Sequence, residues 1–128
     1  MKIDVSIGEV VDKITILQIK QEKITDEAKV SHVTTELKLL QETLRESEIT
    51  VPTEMIDELK QVNQTLWDTE DIIREKERNN QFDDEFVKHA RLDAKLNDKR
   101  FLVKNKINQH CNSLVKEQKS YEDLYTTD

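Results

Sequence analysis

Charged and amide side chains fall in the middle of two helical faces that the surrounding apolar residues mark as buried. Over residues 54–78 and 83–119, a rotation of about 100° per residue groups the apolar side chains on one face of each segment. The side chains of interest on these two faces are Asn63, Glu70, Arg74 and Glu77, with Trp67 at the rim, and Asp93, Asn97, Arg100, Lys104 and Asn108.

Two functions are open for this inward cluster. An ionised side chain in a low-dielectric interior is costly unless it is paired, so the cluster can be a salt-bridge network that fixes the register of two helices. Alternatively, Arg74, Arg100 and Lys104 converge in a cleft and hold a small anionic ligand such as a phosphate or sugar phosphate, with Trp67 stacking on a ring. The pairs that we expect are Glu70 with Arg100 or Lys104, and Arg74 with Asp93 or Glu77.

Other spacings that could support chemistry are weaker. The ExxD pairs Glu9/Asp12 and Glu54/Asp57 match a helical Mg²⁺ motif, but neither pair is placed plainly on a shared inner face. The pairs Glu85/His89 and His32/Glu36 are each four residues apart and could each supply two metal ligands, but no third ligand can be named for either pair. His110–Cys111 has no triad partner, and one glycine leaves no phosphate loop. We therefore predict no catalytic residue, no metal site and no cofactor.

The composition indicates one helical domain. The chain has 128 residues, of which 37% are charged and 35% hydrophobic, with one Gly and one Pro. That leaves almost no turn residues for a sheet, whereas long helices need few connections. Residues 1–128 are expected to form a single all-α domain, in which the tail after about Tyr121 frays.

The pattern predicts an antiparallel bundle of about four helices, in which helices three and four form a long hairpin. Helix one begins at the capping box Ser6–Glu9, and helix two covers about Lys29 to Glu46. Helix three follows Pro52, with Thr53 as its cap, and reaches Arg78. Helix four is capped by Asp83 and extends to about Lys119. Residues 79–83 are a short connection, so facing residues of the hairpin have numbers that sum to about 160–165.

Apolar residues outside the main stripes predict self-association. Ile16 and Ile19 lie on the far side of helix one from its buried stripe, and Leu39 lies outside that of helix two. These positions need a second neighbour from the same chain or another copy, and we expect a homo-oligomer, a dimer in the simplest case.

The charge layout bears on partners and location. Residues 1–87 carry 21 acids against 11 bases, whereas residues 88–119 carry 3 acids against 9 bases. A basic stripe on helix four could follow a phosphate backbone, but the rest of the chain is acidic and the stripe lacks aromatic residues, so nucleic acid is an improbable partner. No apolar run could span a bilayer, and the single cysteine, Cys111, favours a reducing, cytoplasmic location. The stripe consists of Lys88, Arg91, Lys95, Lys99 and Lys106.

The chain resembles a small bacterial all-helical family known only as a domain of unknown function. The resemblance implies no activity, but its pattern includes the inward polar residues, and it extends to Lys119–Tyr121. We therefore expect a non-catalytic interaction or scaffolding protein, with a ligand-binding protein or enzyme as the alternative. The residues that carry the resemblance are Ser6–Glu9, Asp12–Ile14, Ile19–Lys20, Asn63, Leu66–Asp68, Glu70–Asp71, Ile73–Arg74, Glu77, Ala90–Arg91, Asn97–Asp98, Arg100, Lys104, Asn108 and Lys119–Tyr121.

Overall fold

Four α-helices make up the part of the chain that the structure describes, in the order that the sequence predicts. The computed structural model describes residues 1–113 and residue 118, and no strand occurs among them. The α3 and α4 helices form the long antiparallel hairpin, α1 packs on both of them, and α2 packs on α1. The all-α bundle with a hairpin of helices three and four is therefore confirmed. The helices are α1 (Ile7–Lys23), α2 (Glu27–Glu46), α3 (Thr53–Arg78) and α4 (Asp84–His110).

Side-chain caps start three of the helices. The Ser6 hydroxyl accepts from the Glu9 amide at 3.1 Å, and the Asp83 carboxylate accepts from the Phe86 amide at 2.9 Å, as predicted. Asp26 caps α2, which begins two residues before the expected start. The prediction that Thr53 caps α3 is wrong, because the helix already begins at Thr53 and no side chain caps it.

Left-handed asparagines end both hairpin helices. Asn80 and Asn112 have φ values of 53° and 55°. The amide that follows Asn112 belongs to Ser113 and donates to the Asn108 carbonyl at 2.8 Å, which is the long bond of a Schellman termination. The α4 helix therefore ends at His110, and the prediction that it continues to about Lys119 is wrong. The predicted fraying after Tyr121 lies outside the described residues.

The α1 helix is the central element because it is buried on two sides. One side packs Ile14 and Leu17 against Leu37 of α2. The other packs Val11 against Leu59 of α3 and the end of α4. Such two-sided burial explains why this helix carries apolar side chains outside a single stripe.

Because α1 is buried on two sides, Ile19 cannot be part of the self-association surface that we expected. Ile19 is only 1% exposed, because its second neighbour comes from the same chain. Ile16 is half-buried, while Leu39 is 64% exposed on α2. Of the three, Leu39 alone is free to meet another copy.

The hairpin is longer than the helix that covers it. The α3 and α4 helices have 26 and 27 residues, against 17 in α1. At about 1.5 Å per residue, roughly 14 Å of hairpin extends beyond the reach of α1. On the α3 face that carries Asn63, side chains are buried beside α1 and exposed farther along, at Glu70, Arg74 and Glu77. The expectation that these three residues face the interior is therefore wrong.

Candidate functional site

A close helix crossing brings α1 onto α4. Gly8 sits against the Lys104 backbone, and a Cβ atom built on it would lie 2.5 Å from the Lys104 carbonyl oxygen. The Gly8 amide donates to Asn108 Oδ1 at 2.6 Å, so a glycine permits both the approach and the bond. The neighbouring Ile7 amide donates to the Ser113 hydroxyl at 3.2 Å. The first turn of α1 is thus joined to α4 through its own amides, and these amides are not available to bind an anion.

Asp12, one turn further along α1, is the centre of a buried polar network. Its side chain is fully buried, with 0% exposure. The Arg100 guanidinium donates two side-on hydrogen bonds to it, from Nε to Oδ1 at 2.9 Å and from Nη2 to Oδ2 at 2.5 Å. Asn63 of α3 donates to Oδ1 at 2.9 Å and also to the Thr15 hydroxyl at 2.9 Å. One carboxylate therefore ties α1 to both hairpin helices.

Lys104 forms an ion pair with a second carboxylate of α1, that of Glu9. Its ammonium lies 2.7 Å from Glu9 Oε2 and 3.8 Å from Asp12 Oδ2, and its side chain is only 6% exposed. The ExxD pair Glu9/Asp12 therefore does share an inner face, contrary to our expectation. The Lys104 ammonium fills the position between the two carboxylates, so that position is not open to a metal ion. Glu9, the single acid of the predicted capping box, therefore forms an ion pair with Lys104.

The salt-bridge partners predicted within the hairpin are wrong. Arg100 and Lys104 bind carboxylates of α1, whereas we expected one or the other of them to pair with Glu70. Arg74 makes no ion pair with Asp93 or with any other residue that the structure describes. The predicted register of the hairpin nevertheless agrees with the contacts, since Asn63 and Arg100 meet on the same oxygen of Asp12.

The ten residues singled out from the sequence divide between the buried network and the uncovered end of the hairpin. Asn63, Lys104 and Asn108 are buried, and Arg100 is half-buried beside them. The others lie farther from α1. Trp67, Asp93 and Asn97 are half-buried there, and Glu70, Arg74 and Glu77 are exposed. We call the set Trp67, Glu70, Arg74, Asp93 and Asn97 the distal cluster.

Two acids of the distal cluster share a hydrogen bond. Burial, the bond to Asp93 and the charge of Asp93 raise the pKa of Glu70 from its ordinary value of 4.5, against smaller lowering effects of Arg74 and Arg100. Asp93 Oδ1 is the one buried side-chain nitrogen or oxygen in the described part of the chain that lacks a hydrogen-bond partner. Asn97 donates to the other oxygen at 3.4 Å. Because its pKa is raised, Glu70 keeps its proton to a higher pH than an ordinary glutamate does.

Sequence reasoning did not assign Asp12 as the centre of the buried network, although the sequence contains a signal for it. Gly8, Asp12, Thr15 and Ile19 follow one another at spacings of four, three and four residues, which defines a second face of α1. Ile19 was noticed as an apolar residue off the main stripe. The small and polar members of the same face belong with it.

The comparisons with known proteins identify a family but no activity. None of the helices in residues 1–113 has both the length and the apolar character needed to cross a membrane. In that same part of the chain, no three His, Cys, Asp or Glu side chains are grouped as metal ligands. A family model described as "Family of unknown function (DUF6165)" matches residues 1–128. No curated protein and no solved structure was found to match the chain.

Proposed function

Starting from the premise that the chain belongs to this family of unknown function, we propose that it is a non-catalytic interaction protein that self-associates as a dimer. The observation that carries the proposal is the use made of the inward cations. Arg100 and Lys104, the groups best placed to hold a ligand in the centre of the bundle, are bound to Asp12 and Glu9. The charges at the centre act as a lock between helices, which favours a structural role.

Exposed apolar side chains supply the surface for self-association. They occur at the start of the chain, on α2, near the turn of the hairpin and farther along α4. Scattered apolar residues are ordinary on a protein surface, but a group of them at one place is typical of an interaction site. Within residues 1–113, the exposed large apolar residues are Met1, Ile3, Val5, Leu39, Ile72, Phe82, Val87 and Leu102.

We also assign the protein to the bacterial cytoplasm and expect no nucleic acid partner. Cys111 is a free thiol whose pKa is raised by burial, which suits a reducing compartment and an unreactive cysteine. The basic stripe is confined to one face of α4, and Lys106 within it is neutralised by Glu58 at 3.2 Å.

Sedimentation velocity on the full chain at micromolar concentration tests the proposal. A dimer whose fraction rises with protein concentration is expected. A monomer over the whole range up to about 100 μM, where interfaces of standard size are normally saturated, would refute self-association.

A second candidate, ligand binding by the distal cluster, has its own support. Arg74 is an exposed cation without an ion pair among the described residues, and Asp93 Oδ1 of the same cluster is a buried oxygen that lacks a hydrogen-bond partner there. A ligand with an anionic group for Arg74 and a hydroxyl or amine for Asp93 would match both, and Trp67 is close enough along α3 to contact it.

Thermal-shift measurements against nucleotides, sugar phosphates and divalent cations test this second function. Stabilisation by one ligand class is expected to disappear in Arg74→Ala and to persist in Arg78→Ala, an exposed arginine one turn away on the same helix. Arg100→Ala is unsuitable here, because its loss would disrupt the buried network. Equal stabilisation of both variants, or none of the wild type, would exclude a site at Arg74.

A further inference from the structure

The first five residues form an arm whose backbone is unpaired. Residues 1–5, here the N-terminal arm, precede the Ser6 cap and lie outside any helix. All five are exposed, and none makes a hydrogen bond or ion pair with another described residue. A segment with free N–H and C=O groups can take up an extended conformation and pair with another strand.

Side chains in the arm alternate as they do in a strand with one buried face. Met1, Ile3 and Val5 are apolar, and Lys2 and Asp4 between them are charged. In an extended chain, alternate side chains point to opposite faces, so the arm has an apolar face and a charged face. Ile3 is 78% exposed, so its apolar surface is left uncovered by the chain itself.

Two grooves flank the arm. The first has a volume of about 250 Å³ and lies between the arm, the start of α1 and the end of α2, where Val10 and Leu44 line it. The second, of about 390 Å³, lies between the arm and the end of α4, where Ile49 and Cys111 line it. Apolar side chains brought to the arm by a partner would have apolar surface to pack against.

We propose that the N-terminal arms of two copies pair as an antiparallel ribbon centred on Ile3. The inference rests on the proposed self-association and names its surface. In this register the numbers of facing residues sum to six, so that Ile3 faces Ile3 and Lys2 faces Asp4 of the second copy. The twofold symmetry makes two such ion pairs, and Met1 faces Val5.

Charge complementarity selects this register over the alternatives. A shift by two residues in either direction sets Lys2 against Lys2 or Asp4 against Asp4, and like charges directly opposite each other are destabilising. A shift by one residue sets charged side chains against apolar ones. Parallel pairing in register repeats the like-charge contacts. A two-stranded ribbon is marginal by itself, so packing of its apolar face against the grooves completes the interface.

Charge reversal tests the proposal on the full chain by sedimentation equilibrium. Lys2→Asp and Asp4→Lys should each raise the dimer dissociation constant by about tenfold or more, because each turns two attractive contacts into repulsive ones. The double variant should return it to within about threefold of the wild-type value. Lys38→Asp and Asp71→Lys, exposed on α2 and α3, make the same changes in charge at residues that line neither groove, and they should have little effect.

Disulfide trapping tests the register independently. In a Cys111→Ser background, Ile3→Cys should form an intermolecular disulfide on oxidation, since facing Cα atoms lie about 4.5–5.5 Å apart. Lys2→Cys should not, because its two copies are about 8 Å apart across and along the ribbon, beyond disulfide reach.

The outcomes separate this inference from the proposed function. A wild-type dimer that both single reversals leave unchanged, or that Lys2→Cys traps as readily as Ile3→Cys, would overturn the ribbon while self-association stands. A wild-type monomer would overturn both. Loss in each single variant with recovery in the double establishes the pairing.

Discussion

Replacing Asp12, the centre of the buried network, gives the largest loss of stability that we predict. Asp12→Ala removes a carboxylate with no exposure that holds Arg100 by two bonds and Asn63 by a third. It removes the carboxylate to which Arg100 donates both of these bonds, and it takes away the more distant of the two α1 carboxylates beside the Lys104 ammonium. Breaking one partner of a buried ion pair costs about 3–5 kcal/mol.

That loss is large beside the stability of the whole domain. A domain of this size has a free energy of unfolding of about 5–15 kcal/mol. With a denaturant slope of about 1.5 kcal/mol per M, the urea midpoint of Asp12→Ala should fall by about 2–3 M. The assay is urea unfolding followed by helical circular dichroism at one fixed protein concentration, since association would also contribute to stability.

A matched control separates burial from the loss of an acid. Asp71 lies exposed on α3, and its side chain makes no hydrogen bond or ion pair with another described residue. Asp71→Ala should therefore change the free energy of unfolding by less than about 0.5 kcal/mol. If Asp12→Ala lost less than about 1 kcal/mol, Asp12 would not be the hub that its contacts indicate.

Two further changes test the close crossing and the acid pair. Gly8→Ala should destabilise the protein by about 1–3 kcal/mol in urea unfolding, because the new Cβ would lie 2.5 Å from the Lys104 carbonyl oxygen. The same substitution inside a helix usually stabilises, so a gain in stability would contradict the close packing of α1 on α4. Glu70→Gln should not change stability near pH 4 and should increase it at neutral pH. Folded Glu70 keeps its proton to a higher pH than the unfolded chain, so the wild type loses stability as the pH rises from 4.5 through the raised pKa; parallel stability profiles for the two proteins between pH 4 and 8 would contradict a shared proton.

The helices could be predicted from sequence because their signals are local. Apolar spacing and the caps Ser6 and Asp83 depend on neighbours within a few turns, and the short connection at residues 79–83 makes α3 and α4 antiparallel. The end of α4 was missed because its apolar pattern continues past the turn at Asn112, whose left-handed backbone is the actual stop.

The network could be predicted only in part, because its hub comes from a helix far away in sequence. Residue sums within a hairpin place Asn63 opposite Arg100, and both meet on Asp12. No such rule gives the angle at which α1 crosses that hairpin, and so Asp12 was not assigned to it. For the same reason Glu70 and Arg74 were expected to be buried, since the length of hairpin that α1 covers is a tertiary property.

A double-mutant cycle between Asp12 and Arg100 tests the central claim most directly. Urea unfolding of Asp12→Ala, Arg100→Ala and the double variant gives their coupling free energy, apart from the other contacts that each residue makes. A buried lock between α1 and α4 predicts a coupling of about 2 kcal/mol or more, with the double variant much more stable than the sum of the single losses implies. Additive losses, within about 0.5 kcal/mol, would contradict it and leave Asp12 a buried acid without an energetic partner in Arg100.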